Sequence, residues 1–268
     1  MSSYAYGKDS KEKVPATGKK VPFSVVEAYK TIRTNLLFML AQDNRKCITI
    51  SSSIPEEGKS TTVVNIAIAF SQLGIKVLLI DGDLRKPTIH KKMKLENTKG
   101  LSAVLAGFSP FEETVISVNK SLDVLTAGPI PPNPSEMLSS NRADALLESL
   151  QEKYDYVIID TPPINVVSDA LVLAPKTSGL ILIVRENFTI YSDIKRALSA
   201  IEIANIRLLG TVINDAGAYE GKGYRSGKYY KNRYYKRYYK YGGSYGRYGK
   251  YYSSYDEYGY SSSKENAD

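Results

Sequence analysis

The sequence predicts an α/β fold: a mainly parallel central sheet flanked by helices. Three observations lead there. Short apolar runs at 47–52, 76–81, 156–160, 180–184 and 208–213 have the length and continuity of strands buried on both faces. Amphipathic stretches at 59–73, 141–153, 167–176 and 189–205 separate them, so that strand and helix alternate. Charged and hydroxyl residues gather where several of those runs end, the edge at which open parallel sheets bind ligands. Segment 122–126 is a candidate further strand, and strand order is not legible in the pattern. Ahead of the first strand, Val25, Tyr29, Ile32, Leu36 and Leu40 recur at three- and four-residue steps, which predicts a helix from Phe23 to about Gln42.

Composition divides the chain into three. Residues 1–22 are polar, with Pro15, Gly18 and Pro22, and read as a flexible arm. Residues 23–218 hold the domain and its N-terminal helix. Residues 219–268 are of another kind: sixteen of the 22 tyrosines lie between Tyr219 and Tyr260, and no aliphatic residue occurs from Tyr219 through Asn266. Such a stretch has nothing with which to build a core and reads as a disordered, tyrosine-rich tail.

The formal charge of +8 follows the same division. The tail carries eleven Lys and Arg against five acids, and the first twenty residues five Lys against two acids, so the body is close to neutral. Cys47 is the only cysteine, which excludes an intrachain disulfide; its place at the head of an apolar strand reads as a buried structural thiol. No apolar run approaches the ~18 residues of a membrane span, and the N-terminus lacks the apolar core of a signal peptide. A cytoplasmic protein is expected.

The first strand runs into Ser53-Ile54-Pro55-Glu56-Glu57-Gly58-Lys59-Ser60-Thr61, followed by a helical pattern. This is the phosphate loop G-x-x-x-x-G-K-[ST] with Ser53 in place of its first glycine. In such a loop, backbone amides and a helix N-terminus surround phosphates. Ser53, Glu57, Gly58, Lys59, Ser60 and Thr61 are therefore expected around ATP. Lys59 would reach the β- and γ-phosphates, and Ser60 would offer its hydroxyl to Mg²⁺.

Two more strands end in acids, at Asp81-Gly82-Asp83-Leu84-Arg85 and at Asp160-Thr161-Pro162-Pro163. Asp160 suits the acid that holds Mg²⁺, directly or through water, and Asp83 offers a second metal contact. Asp81 and Asp83 are candidates for a base that activates an incoming hydroxyl. The catalytic set expected is thus Lys59, Asp81, Asp83 and Asp160, with Ser60, Asp83 and Asp160 at the metal. A nucleotide site joined to an array of tyrosines predicts a kinase that phosphorylates itself. Tyr154 and Tyr156 precede a strand and read as structural; His90 reads as a solvated surface histidine.

The trio Ser53–Thr61, Asp81–Arg85 (followed by Lys86-Pro87) and Asp160–Pro163 resembles the bacterial tyrosine kinases of capsule and exopolysaccharide synthesis. Ala127-Gly128-Pro129, Pro132-Asn133-Pro134-Ser135-Glu136 and the tyrosine-rich end resemble that family too, so the likeness spans roughly residues 23–260. It implies a P-loop NTPase fold and a protein-tyrosine kinase using ATP and Mg²⁺, with Asp81 the first candidate for the tyrosine-activating base. It implies phosphoacceptors among Tyr224, Tyr229, Tyr230, Tyr234, Tyr235, Tyr238, Tyr239, Tyr241, Tyr245, Tyr248, Tyr251, Tyr252, Tyr255, Tyr258 and Tyr260.

The family's ring-forming E-x-x-R-x-x-R helix falls at Glu27, Lys30 and Arg33, with Lys30 where Arg is usual; Lys keeps the charge but loses the planar fork. Helical spacing sets Glu27 and Lys30 off the apolar stripe, free to meet a neighbouring subunit. In the Gram-positive branch the kinase is a separate chain. This implies a membrane-embedded adaptor that recruits it to the inner face of the plasma membrane, a cognate tyrosine phosphatase and a homo-oligomeric ring. Asn214, at the end of the last strand, stands where related P-loop ATPases place an adenine-contacting Asn.

Two other readings compete. A MinD/ParA-type positioning ATPase shares much of the site, but its signature lysine would fall at Ile54, which is not basic. A nucleic-acid- or polyanion-binding module would use the basic, aromatic tail for stacking and charge.

Overall fold

The computed structural model describes residues 23–44 and 46–216. The expected arm and tail, with every candidate phosphoacceptor, lie outside the described residues. The elements, in chain order, are α1 (Phe23–Met39), β1 (Cys47–Ser52), α2 (Lys59–Ser71), β2 (Val77–Asp81), α3 (Ile89–Met93), α4 (Leu101–Ala106), β3 (Ile116–Asn119), β4 (Leu122–Leu125), α5 (Pro134–Ser139), α6 (Asn141–Lys153), β5 (Tyr156–Asp160), α7 (Asp169–Leu173), β6 (Gly179–Arg185), α8 (Tyr191–Ile203) and β7 (Leu208–Asn214). The strands form one seven-stranded sheet in the order β3-β4-β2-β5-β1-β6-β7, parallel except for β3 against β4.

Alternation along the strands shows why both faces are covered. Ile48 and Ile50 of β1, Leu79 of β2, Ile158 of β5 and Ile181 and Ile183 of β6 point to the face that packs under α1 and α2. Their neighbours Leu78, Ile80, Val157 and Ile159 point to the opposite face, against α4 to α7. On that face, further along, Leu180 and Leu182 meet Ala197 and Ile201 of α8. Period-two side chains on a doubly covered sheet give the continuous apolar runs seen in the sequence. Cys47 is fully buried among them, and burial pushes its thiol up to about 12, as a structural thiol requires.

Three short helices and one strand were not among the expected elements. α3, α4 and α5 span five or six residues each, too short for a 3.6-residue period to register. β3 lies largely exposed at the sheet edge and is held by main-chain pairing to β4, so it has no apolar signature. One expected core position is corrected: Val26 is buried in α1 while Val25 is exposed, so the stripe runs Val26, Tyr29, Ile32, Leu36, Leu40. α6 begins at the expected residue because Ser140, in extended conformation, accepts a hydrogen bond from the Ala143 amide through its Oγ.

Candidate active site

β2, β5 and β1 are neighbours, in a register that pairs Asp81 with Asp160 and Asp160 with Ile50. Their C-terminal ends therefore deliver two carboxylates and the loop after β1 to one crevice. Gly82 makes the close approach possible: its amide donates to the Asp160 carbonyl at 2.8 Å, and a Cβ there would lie 2.8 Å from that same oxygen.

The loop Ser53–Gly58 is tied from inside. Glu57 is fully buried, and its Oε1 accepts from the Ser53 hydroxyl at 2.8 Å while Oε2 accepts from the Ile54 amide at 2.8 Å. Thr189, just ahead of α8, also donates to Oε1. Burial raises the Glu57 carboxyl above its usual range, and these hydrogen bonds hold it back. Ser53 and Glu57, both expected at the nucleotide, are thus engaged with one another: they shape the loop, and Ser53 occupies the missing glycine's position as a donor to Glu57.

Gly58 has φ 82°, in the left-handed region, and a Cβ there would come 1.9 Å from Asn214 Nδ2. The Asn214 amide itself donates to the Glu57 carbonyl at 3.0 Å, so the end of β7 is fastened to the phosphate loop. Gly58→Ala is expected to lower stability by about 2 kcal/mol through the left-handed backbone and the displaced Asn214 amide. Adding Asn214→Ala should cost less in the Gly58→Ala background than in the wild type; thermal denaturation of the four proteins measures this.

Lys59 opens α2, and its ammonium pairs with Asp160 Oδ1. It also lies 3.3 Å from Ser60 Oγ. Asp160 is fully buried, and burial raises its carboxyl although Lys59 works against the rise. Its Oδ2 is buried without a protein hydrogen bond. Asp81, equally buried, accepts from the Thr88 and Ile89 amides through Oδ2, at 3.1 and 3.0 Å. Its Oδ1 has no protein hydrogen bond. Burial first, then the Asp160 and Asp83 charges, push Asp81 well above the ordinary carboxylate value of 3.8. Asp83 Oδ1 accepts from the Lys86 and Arg85 amides at 2.9 and 3.3 Å, which turns the loop after β2 back on itself.

Asp160 Oδ2, a hard oxygen buried without a protein hydrogen bond, fits a small divalent cation such as Mg²⁺. Among the described residues, no three acidic, His or Cys side chains cluster as a complete ligand set.

Two arrangements had no role in the sequence reading. Arg85 donates to both oxygens of the buried Asp169 (2.8 and 3.0 Å) and to Ser135 Oγ (2.7 Å), locking the loop after β2 to α5 and α7. Lys92 of α3 donates to Thr61 Oγ1 at 2.7 Å. Arg85 and Ser135 stood inside recognised motifs; Asp169 and Lys92 carried no local signal.

Elsewhere the expectations divide. Tyr154 and Tyr156 are buried as expected, with the Tyr154 hydroxyl donating to Asp123 Oδ2 at 2.8 Å. His90 is corrected: it is half-buried, its Nδ1 shielded from solvent without a partner, and burial lowers its basicity. Glu27 and Lys30 were expected to be free for a neighbour; they pair with each other at 3.0 Å, while Arg33 donates to the Ala69 carbonyl at 2.9 Å.

A family model described as an AAA domain matches residues 45–205. The chain is 47% identical to the tyrosine-protein kinase YwqD of Bacillus subtilis over 189 residues, 70% of this chain and 80% of that one. It is 35% identical to the tyrosine-protein kinase CpsD of Streptococcus pneumoniae serotype 4, over 73% of this chain and 87% of the relative. The kinase domain of Escherichia coli tyrosine kinase ETK superposes with a TM-score of 0.69 at 33% identity, covering 75% of this chain and 81% of that domain. MinD of Pyrococcus horikoshii, at 24% identity and a TM-score of 0.56 over 65% of this chain and 72% of its own, shares the fold. With the parallel sheet, the phosphate loop and the acids at adjacent strand ends in place, the chain belongs to the bacterial tyrosine kinases.

Proposed function

We propose that the protein transfers the γ-phosphoryl group of ATP to tyrosine hydroxyls of its own 219–268 segment, and that this regulates capsular or exopolysaccharide synthesis and export. The observation that carries the reading is the meeting of Lys59, Asp160, Asp81 and Asp83 at the ends of three adjacent strands, in a chain that continues into sixteen tyrosines.

The amides of the loop, with Gly58, Lys59, Ser60 and Thr61, hold the phosphates; nucleotide binding gives Lys59 a second anionic partner beside Asp160. Ser60, Asp83 and Asp160 would hold Mg²⁺, which when bound neutralises charge on the phosphate oxygens. Asp81 acts as base. A phenol with a pKa of ~10 is a poor nucleophile at neutral pH, and a carboxylate whose affinity for protons is raised by burial is better matched to it than an ordinary one. Asp81 Oδ2 is held by two loop amides, which leaves Oδ1 for the hydroxyl. Asn214 borders the site where adenine would lie.

The reading also takes in a membrane-embedded adaptor that recruits the chain to the inner face of the plasma membrane, and a tyrosine phosphatase that resets it. No helix among the described residues is long and apolar enough to cross a membrane. Glu27, Lys30 and Arg33 would contribute to a ring, Glu27 and Lys30 by exchanging their mutual pair for one across subunits. Each phosphate adds roughly −1.5 to −2 charge, so three or four would cancel the tail's excess of six positive charges. Assembly size is expected to fall on phosphorylation, as read by light scattering; equal sizes before and after would count against that part.

Intact-mass measurement after incubation with ATP and Mg²⁺, alone and with an adaptor's cytoplasmic segment, tests the kinase reading. Increments of one phosphate each, mapped to 224–260, are expected. ATP hydrolysis without mass gain in either condition would favour the positioning ATPase. Salt-sensitive RNA binding by the unphosphorylated chain, again without mass gain, would favour the binding module.

A further inference from the structure

Lys92 stands in an unusual place for a lysine. Ile89 is fully buried and Met93 packs against the same core, so α3 is pinned beside α2 and the position of Lys92 is set by it. The first turn of α3 is held from the catalytic side as well, since Asp81 accepts from the Thr88 and Ile89 amides. From there the Lys92 ammonium reaches Thr61 Oγ1 at 2.7 Å, two residues beyond the lysine of the phosphate loop. Its partner is a neutral hydroxyl. The nearby acid, Asp160, is already engaged by Lys59.

We propose that Lys92 is a second phosphate-contacting cation of the kinase site, supplied by α3 of the same chain. The inference rests on the kinase reading and adds to it a residue outside its motifs. A half-buried ammonium beside another ammonium, with a hydroxyl for a partner, is a poor arrangement for stability alone. Burial lowers the basicity of Lys92, and the charge of Lys59 opposes its protonation while that of Asp160 supports it. A polyphosphate bound along the loop and the first turn of α2 reverses that balance, because both ammoniums then face the same anion.

The position also answers a gap in the loop. Its second residue is Ile54, fully buried, where the positioning ATPases carry their signature lysine, so that residue supplies no charge here. Lys92 brings a cation to the phosphate region from a different element. Because Asp81 anchors the start of the helix that carries Lys92, the proposed base and this cation share one mechanical support.

The test uses the full chain and the variants Lys92→Ala, Lys92→Gln, Lys92→Arg and, as a charge control, Lys91→Ala, whose residue is exposed one position away. Affinities for Mg²⁺-ATP and for adenosine are measured by displacement of a fluorescent ATP analogue, with autophosphorylation rate by intact mass. Lys92→Ala and Lys92→Gln are expected to weaken Mg²⁺-ATP by at least about tenfold, the scale of one charge-assisted hydrogen bond, and to leave adenosine unchanged. Lys92→Arg should retain most of the affinity, and Lys91→Ala should match the wild type. Unchanged ATP affinity in both neutral variants overturns the proposal. So does equal weakening of ATP and adenosine, which marks a structural role, or the same loss in Lys91→Ala, which marks a diffuse field. If the wild type binds ATP but adds no phosphate to itself, the kinase reading fails while the phosphate contact can still be scored.

Discussion

Lys59→Met is expected to reduce autophosphorylation by a factor of about 10³, the effect of removing a preorganised charge from a phosphoryl-transfer site. Methionine keeps the length of the stem and removes the ammonium. The same change breaks a buried ion pair, for Asp160 is fully buried and Lys59 nearly so. An unpaired buried carboxylate costs about 3–5 kcal/mol. Asp160 can relieve part of this by taking up a proton, since burial already raises its pKa and loss of Lys59 removes what lowers it. A carboxyl whose folded-state pKa is raised stabilises the fold least at high pH. The penalty of Lys59→Met should therefore be greatest in alkaline buffer and shrink as pH falls toward the ordinary value of 3.8. The double variant Lys59→Met/Asp160→Asn should recover most of the lost melting temperature and none of the activity. Thermal scans across pH, with intact mass alongside, check both halves. A double variant no more stable than the single one would show that the pair is not what holds this region.

Asp81→Asn is expected to move activity and stability in opposite directions. As the proposed base, Asp81 should account for a factor of about 10²–10⁴ in autophosphorylation rate. As a folded-state group it is a liability: burial and the Asp160 and Asp83 charges oppose its ionisation. Its folded pKa lies above the ordinary 3.8, so its contribution is most favourable below that value and is lost as pH rises through the raised pKa. Asparagine keeps an oxygen for the Thr88 and Ile89 amides and removes the like charge. Near neutral pH and with chelator present, the variant should gain about 1–2 kcal/mol, or roughly 3–6 °C in melting temperature. At pH 4 the gain should vanish. A melting temperature that falls at pH 7 would mean that the carboxylate charge is needed to anchor α3, and would remove the case for strain stored at a base.

Legibility in the sequence followed what each residue depends on. β1 and β5 begin and end where their runs do, because strands buried on both faces are built largely of apolar and small hydroxyl residues, with the one charge, Asp160, at a C-terminal end. β3 escaped because it is exposed and specified by its partner strand. Gly58, Lys59, Ser60, Asp81 and Asp160 were legible because their chemistry requires fixed spacing next to a strand end. The contact of Glu57 with Thr189 spans 132 residues, and no local pattern encodes it. Arg85 with Asp169, and Lys92 with Thr61, are products of packing between elements distant in the chain, and no local pattern encodes them.

The end of β7 is stitched to the phosphate loop more than once. Asn214 holds the Glu57 carbonyl, and Arg185 holds both Asp215, through a 2.6 Å ion pair, and the Glu56 carbonyl at 3.4 Å. The last described residues ahead of the tyrosine-rich segment are thus fastened to the phosphate loop. On the proposed kinase reading, a phosphoacceptor in the same chain is supplied at an effective concentration set by the linkage, about millimolar for short links, however few copies the cell contains. Expression level would then govern how many assemblies form, while the pace of self-modification within each would be written into the distance from residue 216 to each tyrosine.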